Sequence, residues 1–455
     1  MSLQIVIMAA GKGTRMKSAL PKVLHRLAGR SLIQHVLDTT GRLDSQRTIV
    51  VTGHGADVVE VAIAAPGLGF ARQMPQLGTG HAVQQAVPLL GDEGTTLILN
   101  GDVPLIAEAT ARALVEACGG QRLALLTIEL ADPTGYGRIV RDPASGQVLG
   151  IVEHKDATPA QRQIREVYTG MMAAPSALLK RWVMALKDDN AQKEFYLTDV
   201  VALAAADGVP VVASPAASET EVLGVNSPSQ LADLERRYQR RQAEALMEAG
   251  VRLADPSRLD VRGELRCGTD VEIDVGCVFE GRVELADGVR IGAHCVIRDA
   301  QIGAGAVIHP FTHIEGAQVG AGALIGPYAR LRPGAELGDE VHIGNFVEVK
   351  NSTLARGAKA NHLAYLGDAS VGERVNYGAG SITANYDGAN KHRTVIGNDV
   401  HVGSNCVLIA PIEIGDGATI GGGSTIVKGA PGGQLTVARA KQVSITGWTR
   451  PTKKR

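Results

Sequence analysis

Residues 8–16 read MAAGKGTRM: two glycines, Lys12 and Arg15, with no carboxylate, directly after the apolar run LQIVI. Gly11 and Gly13 let the backbone turn tightly and point several N–H groups outward, while Lys12, Arg15 and Lys22 add positive charge. That combination suits a phosphate. The pattern G-x-x-x-x-G-K-[ST] is absent, and Met16 stands where a dinucleotide fingerprint needs its third glycine. A plain glycine turn has the same composition, so the stretch depends on its neighbours for meaning. One neighbour is Asp102 in LNGDVPLI, again just past an apolar run. A carboxylate there can hold a hard cation, and Mg²⁺ takes one or two protein oxygens beside substrate phosphates. Asn226 in GVNS is the candidate companion oxygen.

These groups meet only if several strands end side by side. Up to about residue 226, β-rich runs (LQIVIM, TIVVTG, TTLILNGD, LALLTIEL, VPVVAS) alternate with helical stretches such as residues 57–65 and 110–118. This alternation predicts an α/β, Rossmann-like domain over 1–226 with a mostly parallel, covered sheet, whose ligands gather at the carboxyl ends of strands. Residues 227–250 predict a helix, with Ser227 as cap, Pro228 at the first turn, Gly250 as stop and a thin apolar face of Leu231, Leu234, Tyr238, Leu246 and Met247. It serves equally as a rigid spacer or as an ordinary amphipathic helix.

From 251 to 455 the period changes. Ile396, Val402, Leu408, Ile414, Ile420 and Ile426 recur every sixth residue, and the phase also runs through Ile291, Ile297, Ile302, Ile308 and Ile314 and through Ile325, Leu331, Leu337, Ile343 and Val349. Hexads with glycine and small residues at fixed places predict a parallel β-helix. NYDGAN, in the one long break between Thr383 and Ile396, predicts a projecting loop. Such a stack leaves flat faces and open ends, which favours homo-oligomers.

Composition narrows the partners. Lys and Arg total 46 against 47 Asp and Glu, so no overall field recruits nucleic acid or an anionic membrane. Cys118, Cys267, Cys277, Cys295 and Cys406 are scattered without metal-ligand spacing, which reads as reduced thiols and a cytoplasmic location. No run approaches the ~18 apolar residues of a membrane span. The tail RPTKKR reads as a solvated basic end.

MAAGKGTRM, LPKVLH, QLGTGHA, NGDVPLI, DPTGYGRI, GIVEHKDA and GVNS occur in that order, ahead of hexads carrying ARLRPGAEL, NFVEVK, NHLAYLGD and ITANYDGANK. Nearly the whole chain thereby resembles the bacterial bifunctional N-acetylglucosamine-1-phosphate uridylyltransferase and glucosamine-1-phosphate N-acetyltransferase family. The resemblance implies a left-handed β-helix, a homotrimer, Mg²⁺, and UTP and acetyl coenzyme A as co-substrates. For the uridylyltransferase it implies a pocket of Ala9, Ala10, Gly11, Asn100, Gly101 and Asp102, with Arg15 and Lys22 neutralising phosphate and Asp102 and Asn226 on the metal. Gln73, Gly78 and Thr79 match positions that read uracil. Gly137, Glu153 and Tyr168 match positions on the sugar side.

For the acetyltransferase it implies His362 as base, since an unperturbed imidazole titrates near ~6.5. Glu348 is the candidate to orient the ring. Arg332 and Lys350 would take the sugar phosphate, and Tyr365, Asn376, Asn385 and Tyr386 the sugar or thioester. Ala379, Ser404, Gly422 and Arg439 match coenzyme-contacting positions. Three residues depart from common usage: Asn100 in place of Tyr, Tyr168 in place of Asn and Gly422 in place of Ala. A nucleotidyltransferase for another sugar phosphate would share GKGTR but leave NHLAYLGD and NYDGANK without a role. A non-catalytic regulatory subunit would favour loss of Lys22, Asp102 or Asn226, and all three are present.

Overall fold

A computed structural model of the chain describes residues 2–190 and 192–453; Lys454 and Arg455 of the basic tail lie outside the described residues. The chain divides into two compact units, one ending at Tyr238 and one beginning at Gln239.

The first unit is built on a nine-stranded sheet. Its strands are β1 (Leu3–Ala9), β2 (Arg47–Thr52), β3 (Leu68–Arg72), β4 (Thr95–Asn100), β5 (Leu123–Glu129), β6 (Gly137–Arg141), β7 (Val148–Val152), β8 (Glu166–Pro175) and β9 (Val211–Pro215). The main path runs β9-β5-β8-β4-β1-β2-β3, and β6 and β7 form a hairpin that joins through β8. Strand β1 pairs in parallel with both β2 and β4, while β8 is antiparallel to β4 and β5. The strands are fully apolar where both faces are covered: Ile5, Val6 and Ile7 of β1 and Leu97, Ile98 and Leu99 of β4 are 0% exposed. The chain leaves β1 for β2 on one side and reaches β4 on the other. The order therefore reverses between β1 and β4, the place where open α/β sheets form a crevice at their strand ends.

The helix Pro228–Glu248 is shared between the two units. Leu231, Leu234 and Tyr238 pack in a first-unit cluster with Met16, Leu27 and Leu105. Ala243 and Leu246 belong to the second unit's core, where Gln239 trades two hydrogen bonds with the backbone of Val261.

The second unit is a parallel β-helix. Short strands pair only in parallel, coil on coil, as in Leu324–Ile325, His342–Asn345 and Lys359–His362. Ile343 lies over Ile325, and Ala360 over Ile343, so one coil is three hexads, sometimes less one residue. Every hexad apolar position named above is buried in one continuous core. The expected loop lies between the strands Ile382–Ala384 and Thr394–Ile396 and is pinned by Asp387, which accepts from the N–H of Ala389 and Asn390 and meets His392 at 2.6 Å. All five cysteines are unpaired. Among the described residues no helix is long and apolar enough to cross a membrane.

Ile343 is wholly enclosed by neighbouring coils. Ile343→Ala is expected to cost about 2–5 kcal/mol, read by circular dichroism as a lowered urea midpoint for the second unit with the first unit's midpoint unmoved.

Candidate functional sites

In the first unit the chain leaves β1 through Ala10 and Gly11 and makes a tight turn at Thr14–Met16. Gly13 carries φ +59°, and a Cβ on it would lie 2.7 Å from Cβ of Lys22. Only glycine meets both demands, so the loop and the short helical turn Lys22–Leu24 sit against each other. Lys22 Nζ then reaches over the ends of β1 and β4 and donates to Asp102 Oδ2 at 2.5 Å and to Asn226 Oδ1 at 3.1 Å. Asn226 is brought there by the backbone, the Val225 N–H donating to the carbonyl of Asp102 at 2.9 Å.

Ala9, Ala10, Gly11, Lys22, Gln73, Gly78, Thr79, Asn100 and Asp102 line one cavity of about 280 Å³. Gly101 underlies it, its N–H bonded to the carbonyl of Met8. The buried Gln73 amide donates to the Gly78 carbonyl at 2.8 Å and holds that turn, and the Thr79 hydroxyl accepts from Leu197 N–H at 3.1 Å. Met8, Gln76 and Glu194 also line the cavity and were not singled out in the sequence. Gln76 lies in the same QMPQLGTG stretch as Gln73, whereas Glu194 arrives from a distant loop that carries no pattern.

Arg15 is exposed and outside this lining. Gly137 and Glu153 are neighbours outside that lining: a Cβ at 137 would stand 2.8 Å from Cγ2 of Ile151 and 3.6 Å from Glu153 Oε1. Burial pushes the Glu153 carboxyl above its usual range, and Thr198 is its weak donor at 3.4 Å. Tyr168, paired with Gly137 across the strands, packs among Leu125, Ile139 and Met172, its hydroxyl buried and without a hydrogen-bond partner. Its ring is part of the core.

Asp102 and Asn226 offer two hard oxygens that already converge on one cation, the Lys22 ammonium, a donor set that fits Mg²⁺. Among the described residues no cluster of three His, Cys, Asp or Glu gathers around a metal position. Ligand and water oxygens would complete the shell.

In the second unit His362 is exposed at a corner, and its Nδ1 lies 2.7 Å from Asn345 Oδ1, one coil below. An amide oxygen only accepts, so this contact suits a proton on Nδ1, and in the neutral imidazole of that tautomer the lone pair is on Nε2. Glu348 does not orient the ring: its carboxylate accepts from Arg332 Nη1 at 2.8 Å. Coil stacking continues the same corner upward from Asn345 and His362. The N–H after each corner residue bonds one coil down: Leu363 to Asn345, Asn405 to Ala379 and Gly423 to Ser404. Ala379, Ser404 and Gly422 therefore form a smooth edge of small side chains above His362, and Arg439 closes it by donating to the Gly422 carbonyl.

Around the next face a ladder of charges runs Arg262, Glu280, Arg298, Glu315, each cation paired with an acid of a neighbouring coil. The alternation ends at Arg332 and Lys350, with Lys391 of the loop beside them. Lys391, then burial and Arg332, pull the Lys350 pKa down, the mark of positive charge without enough counter-charge. Lys391 was missed in the sequence because a loop lysine has no periodic signature. Tyr365 lies along this face, its hydroxyl over Gly367, where a Cβ would stand 2.2 Å away. Asn385 is buried and donates to Asp368, Asn376 contacts His401 at 3.2 Å, and Tyr386 is exposed with its hydroxyl on the Gly388 carbonyl.

The MobA-like NTP transferase domain family matches residues 5–253, and the bacterial transferase hexapeptide family matches 316–351 and 393–428. The chain is 78% identical over 460 residues to the bifunctional protein GlmU of Methylibium petroleiphilum, with all of both chains covered. It is 67% identical to the proteins of that name from Albidiferax ferrireducens (99% of this chain, 100% of the relative) and Paracidovorax citrulli (99% of each). Covered end to end by relatives of this identity, the chain belongs to the bifunctional GlmU family.

Proposed function

We propose that the chain performs two consecutive reactions of UDP-N-acetylglucosamine synthesis: acetylation of glucosamine 1-phosphate by acetyl coenzyme A, then coupling of the product to UTP with release of pyrophosphate. The observation that carries the reading is the pair of unlike sites: a cation bridging Asp102 and Asn226 in one unit, and a base with a free Nε2 in the other. We assign the first reaction to the β-helix and the second to the sheet domain.

In acetyl transfer the glucosamine phosphate rests on Arg332, Lys350 and Lys391, and Arg332 offers a planar fork for its oxygens. The neutral amine attacks the thioester carbonyl, Nε2 of His362 accepts the amine proton, and the C–S bond breaks to release the coenzyme thiol. Asn345 holds the imidazole tautomer that this transfer needs. The coenzyme follows the small-residue edge of Ala379, Ser404 and Gly422 toward Arg439.

In uridylyl transfer an oxygen of the sugar phosphate attacks the α-phosphorus of UTP and pyrophosphate leaves; no protein nucleophile takes part. The N–H groups around Gly11, with Lys22 and Arg15, balance crowded negative charge. When bound at Asp102 and Asn226, Mg²⁺ supplies charge neutralisation of phosphate oxygens. Gln73 and the Gly78–Thr79 turn receive the uracil, and Glu153 beside Gly137 faces the amino sugar.

The assembly is a homotrimer in this reading. Its support is a ladder of corner residues on successive coils, His294, Phe311, Tyr328, Phe346 and Leu363, all at φ between 51° and 61°. The rings stack at 5.2, 5.0 and 5.4 Å, and Phe311, Tyr328, Phe346 and Leu363 are 48–61% exposed. A left-handed conformation costs a bulky residue about 1 kcal/mol or more, and burial against another copy would offset both strain and exposure.

Asp102→Ala is expected to abolish pyrophosphate release and spare acetylation, and His362→Ala to do the reverse, lowering acetylation by about 10²–10⁴-fold; loss of both activities from either variant would refute two separate sites. Asn345→Leu should lower acetyl kcat by about 10-fold or more, less than His362→Ala, with KM for glucosamine 1-phosphate nearly unchanged in steady-state assays. In the double variant Tyr328→Ser, Phe346→Ser, light scattering should show smaller species, and acetylation should fall while uridylylation persists.

A further inference from the structure

Lys22 Nζ stands 2.5 Å from Asp102 Oδ2 and 3.1 Å from Asn226 Oδ1, with side-chain exposures of 12% for Lys22 and 20% for Asp102. The one ammonium thus occupies the point on which both hard oxygens converge. A Mg²⁺ bound to the same two atoms needs oxygens at about 2.0–2.1 Å, and an ammonium bonded to both oxygens leaves no room for it. Ammonium and metal are alternatives. The lysine is held in this pose by its surroundings: Pro21 precedes it at φ −51°, the turn Lys22–Leu24 follows, and Gly13 lies against its Cβ. The same side chain lines the cavity beside Gly11, within reach of any phosphate seated on that loop.

We propose that Lys22 is a built-in counter-cation that closes the metal position in the free protein and vacates it when nucleotide phosphates draw the ammonium away. The proposal rests on the reading that Asp102 and Asn226 hold the divalent ion. Removing the ammonium exposes two partly desolvated oxygens, and the phosphates supply both the attraction for Lys22 and further oxygens for the metal. Metal and nucleotide then bind with positive coupling, and each raises the affinity of the other by the same factor. In the free protein the metal alone must break the Lys22–Asp102 ion pair and binds weakly. Phosphate groups and divalent ion are thereby admitted together, and Asp102 never faces the cavity as a bare carboxylate.

The test is Mn²⁺ binding to the full chain without nucleotide, followed by the electron paramagnetic resonance signal of free Mn²⁺. Lys22→Met is expected to bind Mn²⁺ about 10-fold or more tightly than the parent protein, and Lys22→Met with Asp102→Ala to lose that gain. Lys12→Met removes a nearby positive charge but leaves the ammonium in place, and should change affinity by no more than about 2-fold. Adding a non-hydrolysable UTP analogue should tighten Mn²⁺ binding more in the parent than in Lys22→Met. Unchanged circular dichroism establishes that each variant is folded. If Lys22→Met binds Mn²⁺ no more tightly than the parent while Asp102→Ala weakens binding, the counter-cation role is overturned and the metal reading stands. If Lys12→Met matches Lys22→Met, the effect is general charge, which also overturns it. If Asp102→Ala leaves Mn²⁺ binding unchanged in every background, the metal reading itself fails.

Discussion

Parallel strand pairing carries no tight turn, so each strand must be followed by a long excursion before the chain can lie beside it again. Both units are organised by that constraint. In the sheet domain the excursions are helices and loops, and β1 and β4 become neighbours although some ninety residues separate them. Their carboxyl ends then present Gly11 and Asp102 side by side, and the carbonyl of Asp102 draws in Val225 and with it Asn226. In the β-helix the excursion is one coil: pairing at a spacing of 17 residues sets His362 on Asn345, and further coils, one of them lengthened by the loop, carry the edge up to Gly422. Loss of pairing at either place would separate groups that have no other reason to meet.

Charge is handled locally in a chain whose total is near zero. Along the β-helix several outward Arg answer an acid one coil away, Arg332 among them through Glu348, and the alternation breaks where Lys350 follows Arg332 and meets Lys391. The surplus is compact, which suits a phosphomonoester better than a polyanion. In the sheet domain the same problem is met with backbone N–H groups, one well-placed ammonium and two oxygens of opposite preference. Neither site uses long-range attraction, which fits small and freely diffusing ligands.

The hexad period made the β-helix legible because each apolar residue enters the same core, and the structure buries all of those named. The sheet was legible in its α/β character, but the place of β8 was not: a strand antiparallel to two neighbours reads like any other apolar run. Lys22 stood out by its charge, Asp102 as a carboxylate just past an apolar run and Asn226 as its companion oxygen, whereas their direct contact did not. Glu348 attracted attention by nearness in sequence, yet alternation along the strand directs it to Arg332. Asn345, which does hold the imidazole, lies a full coil away and shares no motif with His362. Tyr168 matches a position on the sugar side by sequence, and the fold packs its ring into the core.

The excursion that carries Tyr386, Asp387 and Lys391 leaves the stack after Ala384 and rejoins it at Thr394, with Val371 still below Ile396 in ordinary pairing. A solenoid whose repeats touch only their neighbours can absorb such an insert at a corner without disturbing the winding on either side. The scaffold and its appendage are therefore separable inventions: one can be lengthened, shortened or recoloured while the other keeps its geometry. A framework of this kind offers a natural place to exchange one projecting loop for another by grafting a single short segment.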